Sequence, residues 1–230
     1  MSNHSPGVRR NARKGERATS ASRERANENK RERILDAAVK VFAAEGFYAA
    51  KVSQIAAEAG VADGTIYLYF KSKDELLINL FEDRMERVLE TLRAALAGSG
   101  PSAVDRLRRV IELHLDLIEQ NPAMGEVITV ELRQSAKFIR EYDNPKFAEF
   151  LRLIAGAIAD GQARGELRAE LDPQLTARAL FGALDEIALS WIVRAEGKAR
   201  GNLQHAARQL GTLFLDGLRA PPLQAPPHSK

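Results

Sequence analysis

Over residues 31–45, apolar side chains recur at Ile34, Leu35, Ala38, Val41 and Phe42. Steps of three and four residues put them on one face of a helix. Gly46 ends that helix, since glycine takes a left-handed cap without steric cost. Val52, Ile55, Ala56 and Ala59 share the face of a short second helix over 52–59. Gly60 then permits a tight turn, and 63–69 reads as a third short helix. Ser72 and Glu75 are spaced as a capping box, in which the serine accepts from the Glu75 amide and the glutamate reaches back. The helix they open runs through Leu80, Met85, Leu89 and Leu92 to about Ala97, where Gly98-Ser99-Gly100-Pro101 breaks it.

The second half repeats one grammar. Residues 102–120 are amphipathic. Asn121-Pro122, Asn144-Pro145 and Asp172-Pro173 each set a good N-cap before a proline suited to the first helical position. They open helices expected at 122–142, 145–164 and 173–195, and a last helix covers 202–218. No stretch alternates as a strand does, and no repeat has a solenoid period. The expected fold is all-α: a three-helix helix-turn-helix domain over 27–77 and a larger helical domain over 78–218. A proline-rich tail follows over 219–230.

Composition narrows the function classes. The 230 residues suit one or two domains and a core without staples. Cysteine is absent, which removes disulfides, zinc–thiolate sites and a cysteine nucleophile. No apolar run approaches a membrane span, and the basic N-terminus has no apolar signal core, so a cytoplasmic chain without membrane contact is expected. Glycine-rich phosphate loops and G-x-S-x-G are missing, so no enzyme is expected and no catalytic residue is assigned.

The net charge of +3 hides an uneven distribution. Residues 1–33 hold 10 Lys/Arg against 4 Asp/Glu, residues 34–80 hold 4 against 6, and the remainder 20 against 21. The whole excess therefore sits at the N-terminus. Residues 1–26 are polar and nearly free of apolar side chains, so they are expected as a disordered basic arm. Such an arm either contacts phosphates or only aids solubility.

Residues 52–70 have helix-turn-helix spacing. Small Ala56 lets the two helices approach, and Val61, Ile66 and Phe70 face inward. That leaves Asp63, Gly64, Thr65, Tyr67, Leu68 and Tyr69 to face a groove, and a helix of this size fits the major groove. It carries no lysine or arginine, so affinity must come from Lys51, Lys71, Lys73 and the arm.

The run Gly60-Val-Ala-Asp-Gly-Thr-Ile-Tyr-Leu-Tyr-Phe-Lys-Ser-Lys73, with Ile34-Leu-Asp-Ala-Ala and Gln54-Ile-Ala-Ala-Glu-Ala-Gly60 before it, resembles the TetR family of transcriptional regulators. The resemblance implies a two-fold dimer that binds palindromic double-stranded operator DNA, with half-site centres about 34–36 Å apart or a multiple. It also implies a variable C-terminal domain that takes a small-molecule effector and then releases DNA. By position, Thr65, Tyr69 and Lys73 match phosphate contacts, and Ser53, Gly64, Tyr67 and Leu68 match groove-facing positions. Ala50-Lys51 and Ala62 replace the usual caps of the second and third helices. Val130-Glu-Leu-Arg-Gln-Ser135, Gly165-Glu-Leu167 and Phe181-Gly-Ala-Leu-Asp-Glu-Ile-Ala-Leu-Ser-Trp-Ile192 are similar to the acyl-CoA-responsive regulators of fatty-acid degradation in that family. The implied effector is a long-chain acyl-CoA, with no other cofactor.

The C-terminal helices also speak for themselves. Met124, Ile128, Glu131, Ser135, Phe138 and Tyr142 form a stripe that Glu131 interrupts. Asp185 interrupts Phe181, Ala188 and Ile192, and His114 interrupts Leu107, Ile111 and Ile118. A buried charge needs a partner, so these three polar groups are either paired in the core, with Arg133, Arg178 or Tyr142, or line a cavity. A pocket would take His114, Leu117, Ile128, Glu131, Leu132, Arg133, Ser135, Phe138, Phe181 and Asp185. Coenzyme phosphates would need Arg106, Arg109, Arg133, Lys137 or Arg140 near its mouth. No pair of these polar groups has metal-ligand spacing, and no metal is expected. Leu184, Ile187 and Trp191, with Leu210 and Leu213, are expected to form a four-helix dimer interface. The rival functions are a repressor of a multidrug efflux pump, which an aromatic pocket would favour, and a DNA-binding protein whose second half only dimerises.

Overall fold

A computed structural model describes residues 8–97, 102–194 and 201–220, with only the backbone over 8–24. Ten α-helices carry the described fold: α1 (Val8–Glu45), α2 (Val52–Ala59), α3 (Asp63–Tyr69), α4 (Lys73–Leu96), α5 (Ala103–Gln120), α6 (Pro122–Thr129), α7 (Ala136–Arg140), α8 (Pro145–Ala163), α9 (Pro173–Ile192) and α10 (Leu203–Leu218). A 3-10 turn, Glu131–Gln134, joins α6 to α7. Leu167 and Arg219 make one isolated antiparallel bridge, which ties the end of α10 to the α8–α9 loop.

Two cores divide the molecule. The first gathers α1, α2, α3 and the start of α4 around Ile34, Phe42, Ile55, Ile66 and Phe70. The second gathers the end of α4 with α5, α8, α9 and α10 around Leu107, Ile111, Ile154, Leu180 and Leu184. α4 serves both: Leu76, Leu77, Leu80 and Phe81 belong to the head, and Leu89 and Leu92 to the larger core. Val127 and Leu132, from the second half of the chain, are buried in the head's core.

Local chemistry sets most boundaries. Ser72, Ser102, Asn144, Asp172 and Asn202 each accept from a backbone N–H in the first turn of their helix. Glu75 reaches back, but to the Lys71 N–H at 2.9 Å rather than to that of Ser72. α2 and α3 have no side-chain cap at Lys51 or Ala62. Gln54 compensates in α2 by accepting from the Lys51 N–H at 2.8 Å. Gly60 adopts φ 64°, a left-handed turn that favours glycine.

Three expectations change. Residues 8–26, expected as a structureless arm, continue α1. Only Gly15 interrupts good or neutral helix formers there, and a helix already formed over 31–45 propagates without a new nucleus. Residues 1–7 lie outside the described residues. The single helix expected over 122–142 is broken into α6, the 3-10 turn and α7. Glu131 turns its carboxyl toward the α1–α2 turn, and Ser135 caps a new helix by accepting from the Phe138 N–H at 3.1 Å. α9, expected to run to 195, ends at Ile192 with Val193 as its C-cap, and most of the proline-rich tail, 221–230, lies outside the described residues.

Candidate DNA-reading face and effector cleft

α3 presents one face to solvent because its other face holds Ile66 against the head core. Tyr67 is 57% exposed and Leu68 82% exposed, an adjacent aromatic and apolar pair on the solvent face of α3. Asp63 and Gly64 are exposed beside them, and Thr65 and Tyr69 are half-buried. Lys51, Ser53 and Lys71 are also exposed, and they line an open concavity shared with Asp63 and Tyr67.

Two of the expected phosphate contacts have internal work. The Lys73 ammonium donates to the carbonyls of Tyr48 and Ala50, each at 3.0 Å, and lies 4.8 Å from the centre of the Phe47 ring. It braces the turn before α2. The Tyr69 hydroxyl donates to Asn27 Oδ1 on α1. Of the lysines expected around α3, Lys51 and Lys71 therefore have the freest reach toward a polyanion.

The head is fastened to α4. Arg84 pairs with Glu32 at 2.9 Å and Asp36 at 2.5 Å, and Arg87 also reaches Glu32. Arg31 bonds Asp83 at 3.3 Å and Asn79 at 3.2 Å. A second fastening comes from the 3-10 turn. Glu131 is buried and accepts from the Phe47 N–H and from Gln134 Nε2. The Tyr48 hydroxyl donates to the Gln134 carbonyl at 2.7 Å, and the Ser135 hydroxyl donates to Asp74 at 2.6 Å. From the same turn Arg133 points the opposite way and pairs with Asp185 of α9 at 2.5 Å.

His114, Leu117 and Phe181 come together in the larger domain. A narrow cleft of about 20 Å³ lies between α4, α5 and α8, with His114, Leu117, Val88, Leu92 and Phe150 among its walls. Rings surround the imidazole: Phe150 at 6.3 Å and Phe181 at 6.2 Å between centroids. Phe181 also meets Phe147 edge-on at 4.7 Å. Burial holds the His114 pKa down to about 4, partly opposed by the nearby charge of Asp185, so the ring is neutral at pH 7. In its present size the cleft has room for about one water, so an acyl chain enters only if α4 separates from α5 and α8.

The other residues expected in a pocket lie elsewhere. Leu132 is buried in the head core, Ile128 and Phe138 pack against it, and Glu131 and Ser135 join the two domains. They interrupt or extend an apolar stripe that packs on the head. Arg106, expected near coenzyme phosphates, is 8% exposed and paired with Asp160. Arg109 pairs with Glu112 at 3.5 Å, while Lys137 and Arg140 are exposed on α7. His114, Glu131 and Asp185 do not converge as metal ligands, and no such group of three occurs among the described residues. The wall from α4, with Val88 and Leu92, was not assigned from the sequence; its signal was the continuation of the α4 stripe beyond Met85.

The expected dimer residues divide too. Leu184, Trp191 and Leu210 are buried in the chain's own core, and Ile187 is half-buried against it. The Trp191 indole donates to the Gly201 carbonyl at 2.6 Å. Leu213, 78% exposed, keeps an outward position on α10. The outward stripe of α9 is instead Leu175, Ala179, Gly182, Glu186 and Ser190. Apolar spacing marks both sides of this helix, and burial selects the other one.

Among known proteins, residues 34–80 match the family described as bacterial regulatory proteins, tetR family, and residues 81–217 match the C-terminal region of YsiA-like proteins. The fatty acid metabolism regulator protein of Bacillus subtilis (strain 168) is 37% identical over 160 residues, which cover 70% of this chain and 82% of that one. The crystal structure of the regulator FadR from Bacillus subtilis in complex with stearoyl-CoA superposes with a TM-score of 0.74 at 34% identity, covering 82% of this chain and 99% of that one. The fatty acid degradation regulator FadR from Bacillus halodurans gives 0.73 at 33% identity, with coverage of 82% and 99%.

Proposed function

The chain belongs to the TetR family of bacterial transcriptional regulators, and we propose that it represses fatty-acid degradation genes and leaves its operator when a long-chain acyl-CoA binds. The observation that carries this reading is the double duty of α4. Val88 and Leu92 wall the cleft, while Leu76, Leu77 and Leu80 of the same helix lie in the head core. A chain that wedges α4 away from α5 and α8 must move the head as well. Release follows if the effector binds the splayed state better than the DNA-bound one.

On DNA, α3 enters the major groove with Gly64, Tyr67 and Leu68 toward the bases, and Ser53 and Thr65 beside them. Lys51 and Lys71 meet phosphates, with the basic N-terminal part of α1 adding long-range attraction. Tyr69 and Lys73 hold the reading helix and the turn before α2 in place. Two copies pair through the outward faces of α9 and α10, around Leu175, Gly182 and Leu213, and act in the cytoplasm. Lys51→Ala is expected to weaken binding about equally on all sequences and to lower the salt slope by about 1. A loss confined to one sequence would contradict a phosphate role.

The effector is tested by melting the purified protein with stearoyl-CoA, stearate and cationic dyes. Binding to the folded state alone adds about 2.7 kcal/mol at a hundredfold excess over Kd. A rise with stearoyl-CoA is expected. A rise with dyes alone would support a drug-efflux regulator instead.

A further inference from the structure

We propose, resting on the acyl-CoA reading above, that His114 selects the effector: its ring N–H donates to the thioester carbonyl of an acyl-CoA, and the same site rejects the free fatty acid. The walls around it are otherwise almost wholly apolar, from Val88, Leu92, Val110, Leu113, Leu117 and Phe150. Thr91 also reaches the cleft, but its hydroxyl donates to the Arg87 carbonyl at 3.0 Å. No described residue hydrogen-bonds the His114 ring, which is held between the Phe150 and Phe181 rings. Among the lining side chains it therefore carries the one uncommitted donor.

The half-buried ring has no protein acceptor and is not among the buried polar atoms left unpaired, so its N–H meets solvent, and an acceptor brought by the ligand takes the place of that water. The hydrocarbon of a fatty acyl group offers no acceptor. Its one strong acceptor is the carbonyl at the end of the chain, so the site fixes where the chain stops and the coenzyme begins. The ring's other consequence is exclusion. A neutral imidazole matches a neutral carbonyl but supplies no cation for a carboxylate. Asp185 is close enough to act on the His114 charge, but Arg133 pairs with it at 2.5 Å, so the exclusion of a carboxylate rests on the neutral ring and its apolar walls. The arrangement thus responds to the activated acyl group and not to the free acid from which it is made.

The test compares three ligands on the full chain by calorimetry: stearoyl-CoA, the S-octadecyl thioether of CoA that lacks the carbonyl, and stearate. The wild-type chain is expected to bind the thioester about tenfold more tightly than the thioether, the scale of one good hydrogen bond to a buried group. Stearate should bind more weakly than both. His114→Leu should bind thioester and thioether alike, and His114→Gln, which keeps an N–H donor, should recover part of the preference. Equal affinity of the wild-type chain for thioester and thioether would overturn the proposal, as would stearate binding as tightly as stearoyl-CoA. That comparison needs no variant to fold. Binding of none of the three would overturn the acyl-CoA reading itself, whereas binding of both CoA ligands without preference overturns only the role of His114.

Discussion

Glu131→Ala is expected to lower the melting temperature by about 4–12 °C, the effect of roughly 2–3 kcal/mol in a chain of this size. Glu131 is 5% exposed, and its carboxyl accepts from the Phe47 N–H and from Gln134 Nε2. Alanine leaves a buried backbone donor without an acceptor and a void beside Gly46, where an added Cβ would meet the Glu131 carboxyl at 3.6 Å. Both effects fall on the contact between the head and the larger domain. Glu131→Gln keeps an acceptor of the same length and should recover most of the loss. Thermal melts of the two variants check the point, and an unchanged melt for Glu131→Ala would contradict the role of this contact.

Arg133→Ala should behave in the opposite way, with little change in stability and a large change in response. The pair with Asp185 is partly exposed, 45% at Arg133 and 20% at Asp185, so its stability contribution is about 1 kcal/mol or less. Its position is what matters. Asp185 acts on His114 at the cleft, while Arg133 shares a four-residue turn with the groups that hold Phe47 and Tyr48. Binding energy at the cleft thus has a continuous route through packed and paired groups to the head. Operator affinity without effector should stay within about twofold of wild type. The factor by which stearoyl-CoA weakens DNA binding should fall about tenfold, within the usual range of coupling energies. Asp185→Asn should give the same result, and the double variant no more than either one. A wild-type release factor in Arg133→Ala would contradict the route.

How far the sequence reached follows from where each signal is generated. Caps are local, so Ser72, Asn144 and Asp172 announced their helices, and Gly46 and Gly60 their turns. The reading face was legible because Tyr67 and Leu68 fall outside the inward phase set by Ile66 and Phe70. The break after Thr129 was not legible. Residues 130–135 contain no glycine or proline, and what stops the helix is a set of partners far away in sequence, Phe47, Tyr48 and Asp74. For the same reason Glu131 and Ser135 looked like pocket residues: a polar interruption of an apolar stripe does not say what covers the stripe. α9 carries apolar residues around much of its surface, so periodicity alone could not separate the inward Leu184 and Trp191 from the outward Leu175. His114 was the informative exception, a polar group left without a partner where three helices meet.

The most direct measurement is the affinity of the purified chain for a palindrome that it selects from random DNA, with and without saturating stearoyl-CoA. Saturation is verified in the same sample by the melting shift. The account predicts a loss of operator affinity between about fivefold and 150-fold. Equal affinity with the effector bound would contradict it, because α4 would then accommodate the acyl chain without moving the head.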